Sequence, residues 1–198
     1  SANRAFPDAF VIAVMQWEVR VQGDPRTSFS KIAYAGASIG TGNLVTNDFA
    51  EILSSKVMSE GRNLINLSND DRLPLATNVL EGAVVPELDR MFDDFVKRIR
   101  ANVEDRAEIR KRALERHLEV KGGSLDEQRQ NFLSQASARE SSGDKQGAQR
   151  LRALATGRQT TKERLQAKVD VRLREIEHQR QITPELTEIA YLFVEVVQ

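Results

Sequence analysis

The sequence has no cysteine, only two histidines and one tryptophan, and aromatic residues make up 6% of it. Without cysteine there is no disulfide framework, no thiolate zinc site and no thiol nucleophile. The longest strongly apolar run, Phe10 to Met15, is far shorter than the roughly 20 residues a helical membrane span needs. No secretion signal is visible, and Ser1-Ala2-Asn3 reads as a cloning remnant. The expectation is a soluble cytoplasmic protein with no membrane partner. At 198 residues, 40% hydrophobic and 29% charged, the chain is long and apolar enough to fold around a core.

The formal charge is also missing: 29 basic residues balance 29 acidic ones. That balance is a cancellation between segments. Residues 1–86 carry 7 basic and 9 acidic groups, residues 87–183 carry 22 and 17, and residues 184–198 carry only 3 acidic groups. A densely charged middle between two ends of ordinary composition points to a helical insertion in a sheet-containing core. The expected domains are therefore 1–86 plus 184–198 as the core, and 87–183 as a charged helical stalk.

Residues 9–22 read as a strand. Trp17, Val19 and Val21 alternate with Glu18, Arg20 and Gln22, while the first half is apolar on both faces and so should be central and covered. Gly23-Asp24-Pro25 signals a turn into a second strand near 28–36. A short third strand is expected at 43–46. Thr46 or Asn47 would cap a helix over 48–59, and 60–75 reads as irregular.

A long helix is expected from about 77 to 120, with the seam Leu88, Phe92, Phe95, Ile99, Val103, Ala107, Leu114 and Leu118. Gly82 and Pro86 should kink or divide its start. Gly122-Gly123 should stop it, and Ser124-x-x-Glu127 would then cap a helix to about 141. A short helix follows over 144–156, ending near Gly157. Thr160-x-x-Glu163 would cap a last helix to about 181, with Leu165, Val169, Leu173 and Ile176 as its seam. Thr183-Pro184 should end it, and 188–197 reads as a strand returning to the first sheet. The resulting fold class is α+β: a small, mostly antiparallel sheet with a long antiparallel helical hairpin, coiled-coil-like, inserted before the last strand.

Site chemistry is sparse. Gly36-x-x-x-Gly40-Thr41-Gly42 has neither the spacing nor the lysine of a Walker loop. His117 and His178 lie in charged helical stretches with no metal-ligand spacing. Asp70-Asp71 and Asp93-Asp94 are neighbours in sequence, and neighbours on a helix point in different directions. Asn66-Leu67-Ser68 matches a glycosylation acceptor only as a pattern. Trp17, Phe92 and Phe95 read as core. The expected catalytic, metal and cofactor sets are empty.

The basic residues are the exception. Lys97, Arg98, Arg100, Arg106, Arg110, Lys111, Arg112 and Arg116 crowd one helix and form a candidate nucleic-acid-binding stripe. The competing reading is a solvated helix face, because Glu104, Asp105, Glu108 and Glu115 interleave with them and Glu108–Arg112 has ion-pair spacing. No Phe, Tyr or Trp lies between 96 and 131 to stack on bases.

The segment FVIAVMQWEVRV, the helix VVPELDRMFDDFVKRIRANVEDRAEIRKRALERHLE and the closing KERLQAKVDVRLREIEHQRQITPELTEIAYLFVEVV together resemble the C-terminal region of bacterial SWI/SNF-type ATPases. These form the RapA/HepA-like, RNA-polymerase-associated family. Arg172-Leu173-Arg174-Glu175-Ile176-Glu177 is similar to a pattern in helicase-associated tails. The resemblance implies a non-catalytic C-terminal accessory domain of an ATP-dependent helicase. Its motor would lie upstream, and its partners would be that motor or another protein such as RNA polymerase, with possible DNA contact. Two other readings stand beside it: a nucleic-acid-binding stalk, and a stand-alone coiled-coil scaffold or dimerisation protein.

Overall fold

The computed structural model describes residues 9–24, 26–60 and 72–196. The expectations for Ser1-Ala2-Asn3, Asn66–Ser68, Asp70-Asp71 and most of the irregular 60–75 stretch lie outside the described residues. In chain order the elements are β1 (Ala9–Val21), β2 (Ser28–Ser38), α1 (Asn47–Glu60), α2 (Leu73–Val79), a π-helical turn (Leu80–Val84), α3 (Val85–Ser141), α4 (Lys145–Gln179) and β3 (Ile182–Glu195). The fold is α+β, a three-stranded antiparallel sheet with its last strand after the helices. Two compact units divide it. One comprises Ser1–Val21, Pro25–Arg100 and Ile182–Gln198; the other comprises Gln22–Asp24 and Ala101–Gln181.

In the first unit the strand order is β2-β1-β3, so β1 is central. This is why its first half is apolar on both faces. Ala9, Val11, Ala13, Met15 and Trp17 point to one side, where Ala76, Val84 and Leu88 cover them. Ile12 and Val14 point to the other side, against Ala50 with Leu53 and Val57 of α1. Beyond Val14 that second side is wet, carrying Gln16, Glu18 and Arg20. Trp17 is 1% exposed and its ring meets Phe92 and Phe95 at centroid distances of 5.7 and 5.6 Å. Burying one such side chain contributes on the order of 2–3 kcal/mol. Gly36 faces Ile12, and a Cβ there would come within 3.2 Å of Ile12 Cγ1 and of the Val11 carbonyl, so only glycine fits without a shift.

Several local expectations need correcting. The segment at 43–46 is not a strand but an isolated bridge, Ala37 to Leu44. The expected helix start at 77 is a separate α2 from Leu73, joined to α3 through the π turn. That turn surrounds Gly82 and precedes Pro86, which has no N–H to continue the α-helical ladder. Of the two caps expected for α1, Thr46 is the one that forms, its Oγ1 accepting from the Phe49 N–H at 3.3 Å.

The second unit holds the largest correction. Gly122-Gly123 does not stop the helix: α3 is continuous for 57 residues and α4 for 35. Neither expected capping box forms. Ser124 Oγ accepts from Gln128 within the helix, and Thr160 and Thr161 donate back to the carbonyls of Thr156 and Gly157. The seam outlasts the stop signals. Leu125, Phe132 and Ala136 follow Leu118 on the inner side, and two glycines cost a helix only about 2 kcal/mol together. The true reversal is at Ser142–Asp144, where Gly143 takes φ 87° and Asp144 caps α4 by accepting from the Gly147 N–H at 2.8 Å. From there α4 runs back antiparallel to α3, tied by Lys162–Asp126 at 2.5 Å and by Arg152–Glu140.

β3 begins at Ile182, earlier than the expected 188, with Thr183-Pro184 inside it. Pro184 is tolerated because β3 is an edge strand and needs no ladder hydrogen bond on its outer side. A register shift between Val14 and Met15 leaves Ile189 as the extra residue of a β-bulge.

Candidate functional site

Two surfaces stand out, one in each unit. The first is the outer edge of β3. The sheet has two edges, and they differ. β2 has its end covered: the Val45 N–H donates to the Gly36 carbonyl and the Ser38 N–H to the Asn43 carbonyl. Lys31 further along β2 carries the kind of charge that blunts an edge. On its outer side β3 has no strand partner among the described residues. It exposes Leu186 (36%), Ile189 (50%) and Tyr191 (44%). Its two end carboxylates are engaged, Glu185 with Arg20 at 3.1 Å and Glu195 with Arg72 at 3.1 Å. Partial burial, a hydrogen bond with Glu188 and the nearby negative charge of Asp89 hold the Tyr191 phenol above its ordinary range.

The second surface lies along one side of the α3–α4 hairpin. On α3, Arg110, Leu114, His117, Lys121, Leu125 and Gln128 recur at spacings of three and four. On α4, Arg158, Thr161, Leu165, Lys168, Arg172, Glu175 and Gln179 do the same. Such spacings keep residues on one side of a helix. The two rows border two shallow hollows in line between the helices, one over Leu114 and Ile176 and the next over Leu125 and Leu165, which together make a groove. Its walls carry Arg110, His117, Lys121, Arg158 and Arg172, against the single carboxylate of Glu175, and Lys168 lies on the adjoining α4 surface with Ala167 and Val171. Glu175 is bound by Arg172 at 2.7 Å. From Arg110 to Gln128 the groove follows five helical turns, about 27 Å.

The residues nominated from sequence are not gathered in this way. Arg110, Lys111 and Arg112 are consecutive, so they leave the helix about 100° apart. Lys97 pairs with Asp94 at 3.7 Å, Arg98 donates to the Asp94 carbonyl, and Arg112 pairs with Glu108 at 3.1 Å. The Arg112 guanidinium is the main cause holding the Glu108 carboxyl below the usual range, with Arg180 adding to it. Arg100, Arg106 and Arg116 are exposed on the helix surface, and Lys111 is half-buried. Arg110 is the member of this set that lines the groove, donating to Gln179 Oε1 at 3.2 Å.

The α4 cations lie outside the stripe that the sequence of α3 shows. The signal was present: 158, 161, 165, 168 and 172 step by three and four. Their partners on α3 follow only from the pairing register. Among the described residues there is no group of three His, Asp or Glu placed to hold a metal ion, and no helix is long and apolar enough to cross a membrane. His117 lines the groove, and His178 lies against Gly23.

No protein-family model matches the chain, and no curated protein or solved structure does either.

Proposed function

We propose that this chain is an accessory docking domain without chemistry of its own, and that its partner is the motor of a SWI/SNF-type ATPase. The observation that carries this reading is the open edge of β3, with Leu186, Ile189 and Tyr191 exposed along it. A strand edge of this kind recruits an extended segment by main-chain pairing, and its side chains set the preference for an apolar partner. Support for the motor comes from the element order: opening strands, long charged helices and a closing apolar strand, as in the family the sequence resembles.

The test is to add the chain to a SWI/SNF-type motor encoded in the same genome and follow ATP hydrolysis with and without DNA. The chain alone is expected to turn over no ATP, and to bind the motor and change its rate. Ile189→Pro, which leaves the inner ladder to β1 least disturbed because Ile189 is the bulge residue, is expected to reduce binding. ATP turnover by the chain alone, or a motor rate indifferent to it, would overturn the reading.

A further inference from the structure

We propose that the one-sided groove of the α3–α4 hairpin is a binding site for the phosphate backbone of duplex nucleic acid. This inference is independent of docking through β3. Residues 101–181 as a whole carry 18 basic and 13 acidic groups, a near-balance that argues against a uniformly basic surface. The groove departs from that balance, with Arg110, Lys121, Arg158 and Arg172, and Lys168 on the α4 surface beside it, against the one lining carboxylate of Glu175. Four other carboxylates of the hairpin are engaged in ion pairs whose partners do not line the groove. Asp126 is taken by Lys162, Glu140 by Arg152, and Glu104 and Glu108 by Arg180.

The polar groups between the cations suit phosphate oxygens. His117, Ser124 and Gln128 carry donors and line the same stretch, while the Thr161 hydroxyl beside them already donates to the Gly157 carbonyl. Ser124 is held only by a long 3.4 Å contact from Gln128, so its own hydroxyl proton stays available. No Phe, Tyr or Trp lines the groove among the described residues, and the nearby Phe132 ring sits beneath the Arg158 guanidinium at 6.0 Å. A site with cations, hydroxyls and no stacking platform recognises backbone rather than bases. Its length of about 27 Å spans roughly eight base pairs at 3.4 Å each. Among the described residues, Arg110, Lys121 and Arg158 in the groove and Lys168 beside it make no ion pair with a carboxylate.

The experiment is fluorescence anisotropy of the full chain with a 20-base-pair duplex DNA probe at several salt concentrations. Four phosphate contacts predict that affinity falls about 100-fold between 50 and 200 mM salt. The triple variant Lys121→Gln, Arg158→Gln, Lys168→Gln should lower that salt slope by about 3 and weaken binding at 50 mM salt at least tenfold. A second variant, Arg106→Gln with Arg116→Gln, removes the same kind of charge from α3 outside the groove lining and should leave affinity within about twofold. Circular dichroism of both variants establishes that the helices remain. Absence of binding at 50 mM salt would overturn the proposal. So would equal losses in the two variants, which would mean diffuse charge, or unchanged binding in the triple variant.

Discussion

The two units solve the problem of stability differently. The sheet unit buries a few large side chains completely: Trp17, Ile12 and Leu88 are at most 1% exposed. The hairpin unit buries small ones, Ala107, Ala136, Ala148 and Ala155, with Val103, Val169 and Ile176 as its larger members. A seam of alanines lets two helices approach closely but removes little apolar area from water per residue. The charged pairs across the hairpin, such as Lys162–Asp126 and Arg180–Glu104, are exposed or half-exposed and contribute about 0–1 kcal/mol each. The sheet unit should therefore depend on single residues, and the hairpin on the sum of many weak contacts.

The sharpest way to break that contrast is at its largest buried ring. Trp17→Ala should cost about 3–5 kcal/mol in chemical denaturation followed by circular dichroism. The Trp17 Nε1 group is already buried with no hydrogen-bond partner among the described residues, so Trp17→Phe should cost much less than Trp17→Ala. In the hairpin, Ile176→Ala should cost about 2 kcal/mol, since its site is 7% exposed and lies in a seam that can partly close. An alanine added to the hairpin should act in the opposite direction. Gly123 and Gly157 are helical, and a Cβ at either would meet nothing within 4 Å. Gly123→Ala and Gly157→Ala should each raise stability by about 1 kcal/mol in the same assay.

The smallest effect is at the hairpin tip and depends on pH. The Asp144 carboxyl is held below its ordinary range, chiefly by the Gly147 N–H and then by Arg139. A depressed carboxylate stabilises the fold above its unfolded value, near 4, and that contribution is lost as pH falls through the folded value. The start of α4 should loosen below about pH 4, seen by NMR as a shift of the Gly147 amide that Asp144→Asn removes.

Much of the sheet unit was readable from residue order. The two-faced apolar half of β1 announced a covered central strand, and the alternation from Trp17 to Gln22 announced a half-wet one. In the hairpin the apolar seam was readable but the helix ends were not. Gly122-Gly123 and Ser124-x-x-Glu127 are valid local stop and start signals, yet local capping energies are smaller than the packing of a seam that continues through Leu125, Phe132 and Ala136. Thr183-Pro184 marked the end of α4, but β3 starts at Ile182 and not at 188, because an edge strand tolerates Pro184. The groove was hidden for a different reason. Its cations come from two helices, and only the reversal at Ser142–Asp144 sets which α4 residues stand opposite Lys121.

The central functional claim concerns the open edge of β3, and hydrogen exchange read by mass spectrometry tests it directly. On adding the SWI/SNF-type motor, amides of Leu186–Tyr191 should gain protection while those of β2 between Ser28 and Tyr34 stay as they were. Unchanged exchange along β3 at saturating motor would contradict the docking account.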